Sequence, residues 1–396
     1  MKSLQHSPIG DVVPIRGHDA RFGEDYGAEA FVPHDLPNEI DLPSSVWMTV
    51  SNAAAELGRL DAAAQLVPSP ELIARVATRR EAIGTSALEG TYANLAELFA
   101  ADVMPQDDDD GHIPPNVREV MNYTRAADRA FQRVEDRPIT LGLLSALQAE
   151  IVRGTASDGS DVGALRSTQV LIGAKHRQVV DARFVPPPPG DQLVAMCERW
   201  LAWLTDPAPA QNIQLIARLA MAHYQFETLH PFTDGNGRLG RLVAVLQLLR
   251  EGALRFPVLA VSPWLEERAD EYRNHLFAVS ETGDWSPWIE FFATAVASEA
   301  ASGHDRIMGL LALKEEFGDA VRSARPRARL AVEIAHDLIA FPTLTIADAE
   351  RRYGRSNQAN RDAVKVLVEL GQLEPYGDGG YDQMYWSPRV FQVING

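Results

Sequence analysis

The stretch that decides the fold and the chemistry is His230-Pro-Phe-Thr-Asp-Gly-Asn-Gly-Arg-Leu-Gly-Arg241, which joins two apolar patterns of helical spacing. At the expected start of the second helix, free backbone N–H groups and the positive end of the helix dipole meet. Small residues there let a phosphate approach the backbone closely. The sequence therefore predicts an anion site at three consecutive residues: Gly235, Asn236 and Gly237.

Four more side chains of this stretch have the chemistry of phosphate transfer. Arg238 and Arg241 lie three residues apart in the first helical turn and could each bind a phosphate with two hydrogen bonds. Asp234 directly precedes the glycines, where a carboxylate could hold Mg²⁺ against the same phosphates. A neutral imidazole at His230 could accept a proton near pH 7. Together these residues predict a phosphoryl or nucleotidyl transfer site.

The stretch resembles the signature of the Fic family, H-x-F-x-[D/E]-G-N-G-R-x-x-R. All eight constrained positions match: His230, Phe232, Asp234, Gly235, Asn236, Gly237, Arg238 and Arg241. Residues 163–173 (GALRSTQVLIG) and the hairpin expected after them resemble the flap on which the side chains of target proteins dock. The resemblance covers about residues 40 to 310, and a C-terminal winged helix is a known companion in this family.

The resemblance implies a protein adenylyltransferase, which moves AMP from ATP to a Ser, Thr or Tyr hydroxyl of a target protein and of itself. By the same resemblance, His230 is the base that deprotonates the hydroxyl, and Asp234 holds Mg²⁺ between the α- and β-phosphates. Residues 235–237 surround the phosphates, Arg238 steadies the transferred group and Arg241 holds the γ-phosphate. ATP is thus the implied substrate and Mg²⁺ the implied metal.

An inhibitory segment is also implied. Thr85-Ser-Ala-Leu-Glu89-Gly90 resembles the family motif [S/T]-x-x-x-E-[G/N]. In the family, this glutamate pairs with the second arginine of the signature, so Glu89 would pair with Arg241 and displace the γ-phosphate. Glu89 is therefore both a candidate ATP-site residue and the candidate inhibitor.

The adenine contacts are less well defined by the resemblance. The region from Tyr272 to Trp285 and Trp288 resembles the wall of the adenine site, but relatives often carry Tyr-Tyr where this chain has Tyr272-Arg273. Arg273 is a candidate contact. Gln225, one helical turn before the active loop, is a second candidate, with helix capping as an equal alternative.

Composition sets the class of protein. The chain has 396 residues, of which 46% are hydrophobic and 23% charged, as expected of a soluble globular protein with two or three units. A net charge of −17 argues against loose binding to nucleic acid or an anionic membrane. Cys197, the one cysteine, excludes an intrachain disulfide and a cysteine-based zinc site. With no signal-like or membrane-spanning run, we expect a cytoplasmic protein.

Apolar spacing predicts a mainly α fold with a small β-hairpin over Thr168–Val185 and a C-terminal winged helix-turn-helix, in which Thr345 and Ser356 are each expected to cap the start of a helix. The resemblance implies that the helical core is of the Fic type and that the hairpin is its flap. An Arg/Pro-rich break at 321–329 predicts a linker between independent cores. The expected domains are a flexible N-terminal arm (1–40), an N-terminal helical region with the inhibitory helix (41–115), the catalytic core (116–318) and the winged helix-turn-helix (326–396).

Other functions stay open at this point. The C-terminal unit could bind DNA through Arg351, Arg352, Arg355, Arg361 and Lys365, with the core acting as a nucleotide sensor. Winged helices also serve as protein docking or dimer surfaces, and the acidic chain favours that interpretation. The same active loop could instead remove AMP, with Glu89 aligning water, or transfer UMP or phosphocholine.

Overall fold

The computed structural model describes residues 2–19, 23–67, 70–103, 113–133, 138–173, 182–377 and 383–395, and it is mainly helical. In these ranges the helices are α1 (Ser44–Gln65), α2 (Pro70–Leu88), α3 (Leu95–Val103), α4 (Pro115–Phe131), α5 (Leu141–Val152), α6 (Asp191–Thr205), α7 (Pro207–Asn212), α8 (Leu215–Leu229), α9 (Asn236–Arg250), α10 (Ser262–Glu267), α11 (Ala269–Thr282), α12 (Ser286–Ala324), α13 (Arg329–Asp337), α14 (Ile346–Tyr353), α15 (Asn357–Glu369) and α16 (Pro388–Asn395). The strands are β1 (Gly10–Asp19), β2 (Glu24–Pro33), β3 (Thr343–Leu344), β4 (Glu374–Tyr376) and β5 (Met384–Trp386).

Helices α8 and α9 lie at the centre of the fold. Nearly all of their residues are buried, which requires neighbours on every face. Helices α1, α6 and α12 contact α8, while α2, α4 and α5 contact α9. The loop between the two central helices is the stretch 230–235, so the candidate site lies where the best-packed elements meet.

Hydroxyl side chains set several helix starts. Thr140, Thr345 and Ser356 each accept a hydrogen bond from a backbone N–H in the first turn of α5, α14 and α15, respectively. Such a cap satisfies a donor that has no partner inside the helix. The helix starts predicted at Thr345 and Ser356 are confirmed.

The N-terminal segment is not the flexible arm that we expected for residues 1–40. Strands β1 and β2 pair antiparallel along their whole length. The Phe31 N–H donates to the carbonyl of Val185 (2.9 Å), and the Phe31 ring packs on Phe184 with ring centroids 5.7 Å apart. Glycine and proline interrupt the alternation of side chains along these strands, which is why the sequence pattern did not reveal them.

The flap hairpin predicted over Thr168–Val185 is described in part. A single antiparallel bridge joins Ile172 to Phe184. Residues 174–181, which include the predicted turn, lie outside the described residues. The complete hairpin stays a prediction.

The C-terminal unit does not have the independent core that we expected. Three helices, α13 to α15, accompany an antiparallel sheet in the order β3-β5-β4, and residues 378–382 of the predicted wing lie outside the described residues. Its apolar side chains belong to one core that runs from Val32 to Ile394. Phe391 packs edge-on against Phe99 with centroids 5.8 Å apart, and Arg80 of α2 donates to the carbonyl of Ile394 at 2.7 Å.

Helix α2 touches α10 at a glycine, which gives a test of the packing. A Cβ at Gly84 would lie 2.6 Å from the backbone nitrogen of Pro263, whereas a Cβ at Gly58 in α1 meets nothing within 4 Å. We expect Gly84→Ala to lower the free energy of unfolding by about 1–3 kcal/mol because the backbone must move. Gly58→Ala, the control, should raise it by up to about 1 kcal/mol through helix propensity. Denaturant unfolding of both variants checks this, and equal effects would contradict the close contact.

Candidate active site

His230 ends α8 in a left-handed backbone conformation, with φ 48° and ψ 60°. It is the one non-glycine residue with positive φ in the part of the chain that the structure describes. Its N–H still donates to the Phe226 carbonyl at 2.9 Å, which closes the last helical turn. Such a conformation is unfavourable for a residue with a side chain and persists only where the surroundings hold it.

The imidazole of His230 is set up to accept a proton. Its Nδ1 lies 3.3 Å from the carbonyl of Glu227. Because a carbonyl can only accept, Nδ1 carries the hydrogen and Nε2 keeps its lone pair. Burial, and after it the charge of Arg166, lower the pKa of His230 to about 4, although the carboxylates of Glu89 and Asp234 oppose this shift. The ring is therefore neutral at physiological pH.

Asn236 fixes the loop that follows. Its Oδ1 accepts from the Phe232 N–H (2.9 Å) and its Nδ2 donates to the Phe232 carbonyl (2.8 Å). Gly235 reverses the chain with φ 82° and gives α9 no side-chain cap. The amide of Asn236 is thus used inside the loop, and what α9 offers an anion is the backbone N–H groups of its first turn.

Arg241, one turn into α9, is buried and bound to the segment that ends α2. Its Nε donates to the Thr85 hydroxyl at 2.6 Å and its Nη2 to Glu89 Oε1 at 2.7 Å. A Cβ at Gly237 would overlap the same Glu89 oxygen, so this carboxylate lies over the start of α9. Burial alone would raise the pKa of Glu89, but the charge and hydrogen bond of Arg241 outweigh it, so that the pKa is lowered.

Arg238 lies between two carboxylates. Its guanidinium is 2.5 Å from Glu119 Oε1 on α4 and 3.5 Å from Asp234 Oδ2. Asp234 also accepts the Gly235 N–H at 2.7 Å, and 41% of its side chain is exposed. Nothing in the sequence marked Glu119 as a site residue, because it lies on a different helix more than a hundred positions away.

A cavity of about 300 Å³ lies beside this loop. It brings together five predicted site residues: Glu89, His230, Gly237, Arg241 and Arg273. Four others, Asp234, Gly235, Asn236 and Arg238, are not among the described residues that line it. Ile172, Gly173, Arg183 and Phe184 of the flap form one wall, and Tyr272, Leu276 and Phe277 of α11 form another.

Two residues that the sequence analysis assigned to the nucleotide pocket, Gln225 and Trp288, do not line the cavity. Gln225 is turned to the N-terminal segment, where its Nε2 donates to the carbonyl of His34 at 2.9 Å. Trp288 is fully buried in the core and donates to the Ala220 carbonyl at 2.8 Å. The hydrogen bonds that Gln225 and Trp288 form join residues far apart in the sequence, so periodicity along the chain could not reveal them.

Sequence reasoning also missed a carboxyl group in the cavity. Glu227 lies one turn before His230, and its Oε1 is 4.0 Å from His223 Nε2. Burial raises the pKa of Glu227 to about 7, with Arg241 opposing and Glu89 reinforcing the shift. Its position three residues before the histidine was the available signal.

The Mg²⁺ that the family resemblance implies would have few protein ligands among the described residues. Among the described residues no group of three or more His, Cys, Asp or Glu side chains could hold a metal ion. At nucleotide sites, however, Mg²⁺ is bound by one or two carboxylates together with phosphate oxygens and water. The exposed carboxylate of Asp234 fits the role of a single protein ligand.

The sequence of this chain is similar to those of known proteins. Residues 47–132 match the family model described as Fic/DOC family N-terminal, and residues 138–248 match Fic/DOC family. Protein adenylyltransferase fic-1 of Caenorhabditis briggsae is 31% identical over 173 residues, which are 43% of this chain and 29% of that protein. The fic-1 protein of Caenorhabditis elegans is 34% identical over 137 residues, 35% of this chain and 23% of that protein. The match thus spans less than a third of these curated relatives.

The fold has a relative among solved structures. A Fic family protein from Desulfovibrio desulfuricans G20 aligns over 89% of this chain and 98% of its own length, with a TM-score of 0.53 and 20% identity. At that identity the likeness concerns the fold alone. No described helix is long and apolar enough to cross a membrane.

The pairing of Glu89 with Arg241 predicts how stability depends on pH. The folded-state pKa of Glu89 lies below its unfolded value, so the pairing stabilises the fold above about pH 4.3 and is lost as the pH falls through the folded pKa. We expect Glu89→Gln to lower the melting temperature at pH 7, and this difference to shrink as the pH falls below about 4.3 and through the folded-state pKa of Glu89. Glu71→Gln, in the exposed first turn of α2, is the control. A difference that does not change with pH, measured by scanning calorimetry, would contradict the ion pair.

Proposed function

We propose that this chain, whose residues 47–132 and 138–248 match the Fic/DOC family models, is an adenylyltransferase inhibited by its own Glu89. It transfers AMP from ATP to hydroxyl side chains of a target protein and of itself. One observation carries the proposal: the unprotonated Nε2 of His230 shares a cavity with the start of α9 and with Arg241. A base and an anion site within one small cavity suit transfer to a hydroxyl group.

In the proposed reaction, Nε2 of His230 takes the proton of the target hydroxyl. The oxygen attacks the α-phosphorus of ATP, and the bond from this phosphorus to the β-bridging oxygen breaks. Its electron pair leaves with pyrophosphate, and the imidazolium then returns its proton to solvent. The low pKa of His230 keeps the ring unprotonated before each turnover.

The phosphates are assigned to the start of α9. Backbone N–H groups of residues 236–238 bind them at the positive end of the helix dipole, and the buried charges of Arg238 and Arg241 add to the attraction. Asp234 would hold Mg²⁺, which supplies positive charge to the phosphates when bound. We assign the base of the nucleotide to the wall made by Arg273, Leu276 and Phe277.

Inhibition follows from competition for one guanidinium. The carboxylate of Glu89 and the γ-phosphate of ATP both need Nη2 of Arg241. While Glu89 holds it, the triphosphate lies in an unproductive position, and a small displacement of the α-phosphorus strongly slows transfer. We therefore propose that the wild-type chain binds ATP but transfers AMP weakly.

The C-terminal unit is proposed to be a winged helix that docks a protein or a second copy of the chain. Several basic side chains near its second and third helices are already paired: Arg351 and Arg352 with Asp348, and Arg361 with Asn357. The carboxylate of Asp348 reduces the net charge that Arg351 and Arg352 offer to DNA phosphates. The buried thiol of Cys197 suits a reducing compartment, and we propose a cytoplasmic location.

Labelled ATP tests the proposal. We expect Glu89→Gly to incorporate label from α-labelled ATP, and none from γ-labelled ATP, at about ten times the wild-type rate or more, because a charge-assisted contact is worth about 1.5–3 kcal/mol. The double variant with His230→Ala is the control and should lose about 10²- to 10⁴-fold while still binding ATP.

The other outcomes separate the alternatives. Label from the γ position would indicate a kinase. No label from either position would refute AMP transfer. If Glu89→Gly transfers no faster but fails to release AMP from a modified protein, Glu89 aligns water and the site removes AMP.

A separate prediction concerns the metal. Asp234→Ala should weaken ATP binding when Mg²⁺ is present and leave it nearly unchanged in EDTA, because the carboxylate is assigned to the ion and not to the nucleotide. Titration calorimetry measures both conditions. Asp319→Ala, an exposed carboxylate variant on α12, is the control. Equal Mg·ATP affinity in Asp234→Ala and wild type would place the metal elsewhere.

A further inference from the structure

Arg166 is a buried cation beside the candidate base, and only 2% of the residue is exposed. Every acceptor of its guanidinium is a backbone carbonyl: His230 (Nε, 2.8 Å), Pro187 (Nη2, 2.5 Å), Leu229 (Nη2, 3.4 Å) and Thr168 (Nη1, 3.4 Å). Its own backbone N–H donates to the carbonyl of Pro231 at 3.0 Å. No ion pair with a carboxylate is formed by Arg166 in the described part of the chain.

The surroundings explain how this charge is tolerated. A buried cation is costly unless hydrogen bonds replace its water shell, and here the carbonyls of Leu229 and His230 form the negative end of α8. Burial lowers the pKa of Arg166 to about 10, so that it remains charged at neutral pH. The rigid, planar fork of guanidinium N–H groups suits several fixed acceptors at once, which a lysine ammonium cannot reproduce.

The acceptors come from two parts of the site. Leu229 and His230 belong to the end of α8 and the active loop, whereas Thr168 and Pro187 lie on either side of the flap hairpin. Arg166 is not among the described residues that line the cavity, so it acts on the reaction through these two parts.

We propose that Arg166 is a positioning residue that joins the flap to His230, so that a hydroxyl docked on the flap meets Nε2 of His230 at a fixed distance. The proposal rests on the proposed function, since it assigns Arg166 to acceptor alignment in that reaction. The same hydrogen bond to the His230 carbonyl holds the left-handed backbone at this residue, because releasing the carbonyl removes the contact that favours it.

The first experiment separates alignment from binding. In the Glu89→Gly background, Arg166→Met should reduce kcat for AMP transfer to a tyrosine-containing peptide by about 10- to 100-fold, as expected for a misplaced reacting group. The KM for ATP should change by less than about twofold, because Arg166 lies outside the cavity. Arg166→Lys should recover part of kcat.

The control is Arg218→Lys. Arg218 is also a buried arginine; it lies near the start of α8, at the end of the helix remote from His230, and pairs with Glu251. This variant should lower the melting temperature with kcat per folded molecule unchanged. Thermal unfolding is measured for every variant, so that loss of fold is not counted as loss of alignment.

A second readout needs no activity. The charges of Arg166, Glu89 and Asp234 and the hydrogen bond to the Glu227 carbonyl act on the His230 ring, and Arg166 lowers the pKa of the ring. In histidine-labelled protein, the His230 resonance, assigned with His230→Ala, should titrate at higher pH in Arg166→Met than in its parent. It should move little in Arg218→Lys.

Two results would overturn the proposal: kcat per folded Arg166→Met molecule equal to that of the parent, or an unshifted His230 titration. Failure of the proposed function is distinct, because the Glu89→Gly parent would then transfer no AMP. In that case the titration alone decides whether Arg166 acts on His230.

Discussion

The buried guanidinium of Arg241 is the constraint on which the site depends. A buried cation must be paired or fully hydrogen-bonded, and Nη2 and Nε of Arg241 donate to Glu89 and Thr85 at the end of α2. Its position one turn into α9 directs this charge to the same point as the free N–H groups of the helix start. The fold therefore makes the start of α9 favourable for an anion. In this structure the anion is the carboxylate of Glu89.

The surrounding structure keeps this arrangement in place. Asn236 closes the loop through two hydrogen bonds to Phe232, and Arg166 binds the carbonyls at the end of α8. Helix α2, which ends next to Glu89, contacts α10 and is hydrogen-bonded to the C-terminal unit. The side chain of Glu89 is 36% exposed, so the carboxylate of the pair is open to solvent while its guanidinium partner is buried.

Local signals predicted much of this molecule. The active loop, the end of α2 at Glu89, and the caps at Thr345 and Ser356 each depend on a few consecutive residues, which a single sequence displays directly. Side chains whose role depends on a distant partner were missed or misassigned. Glu119 meets Arg238 across two helices, Gln225 binds the carbonyl of His34, and the β1–β2 hairpin is stabilised by packing on the flap. The shared core of the two units likewise depends on contacts that no local pattern encodes.

We propose that Glu89 and the γ-phosphate compete for the guanidinium of Arg241, and a comparison of ATP with ADP tests this competition most directly. Titration calorimetry would measure both affinities in wild-type protein and in Glu89→Gly. Because only ATP carries the γ-phosphate, removal of Glu89 should strengthen ATP binding about tenfold or more relative to ADP. Equal gains for ATP and ADP, or no gain for either, would show that Arg241 does not choose between the two anions, and would contradict the account.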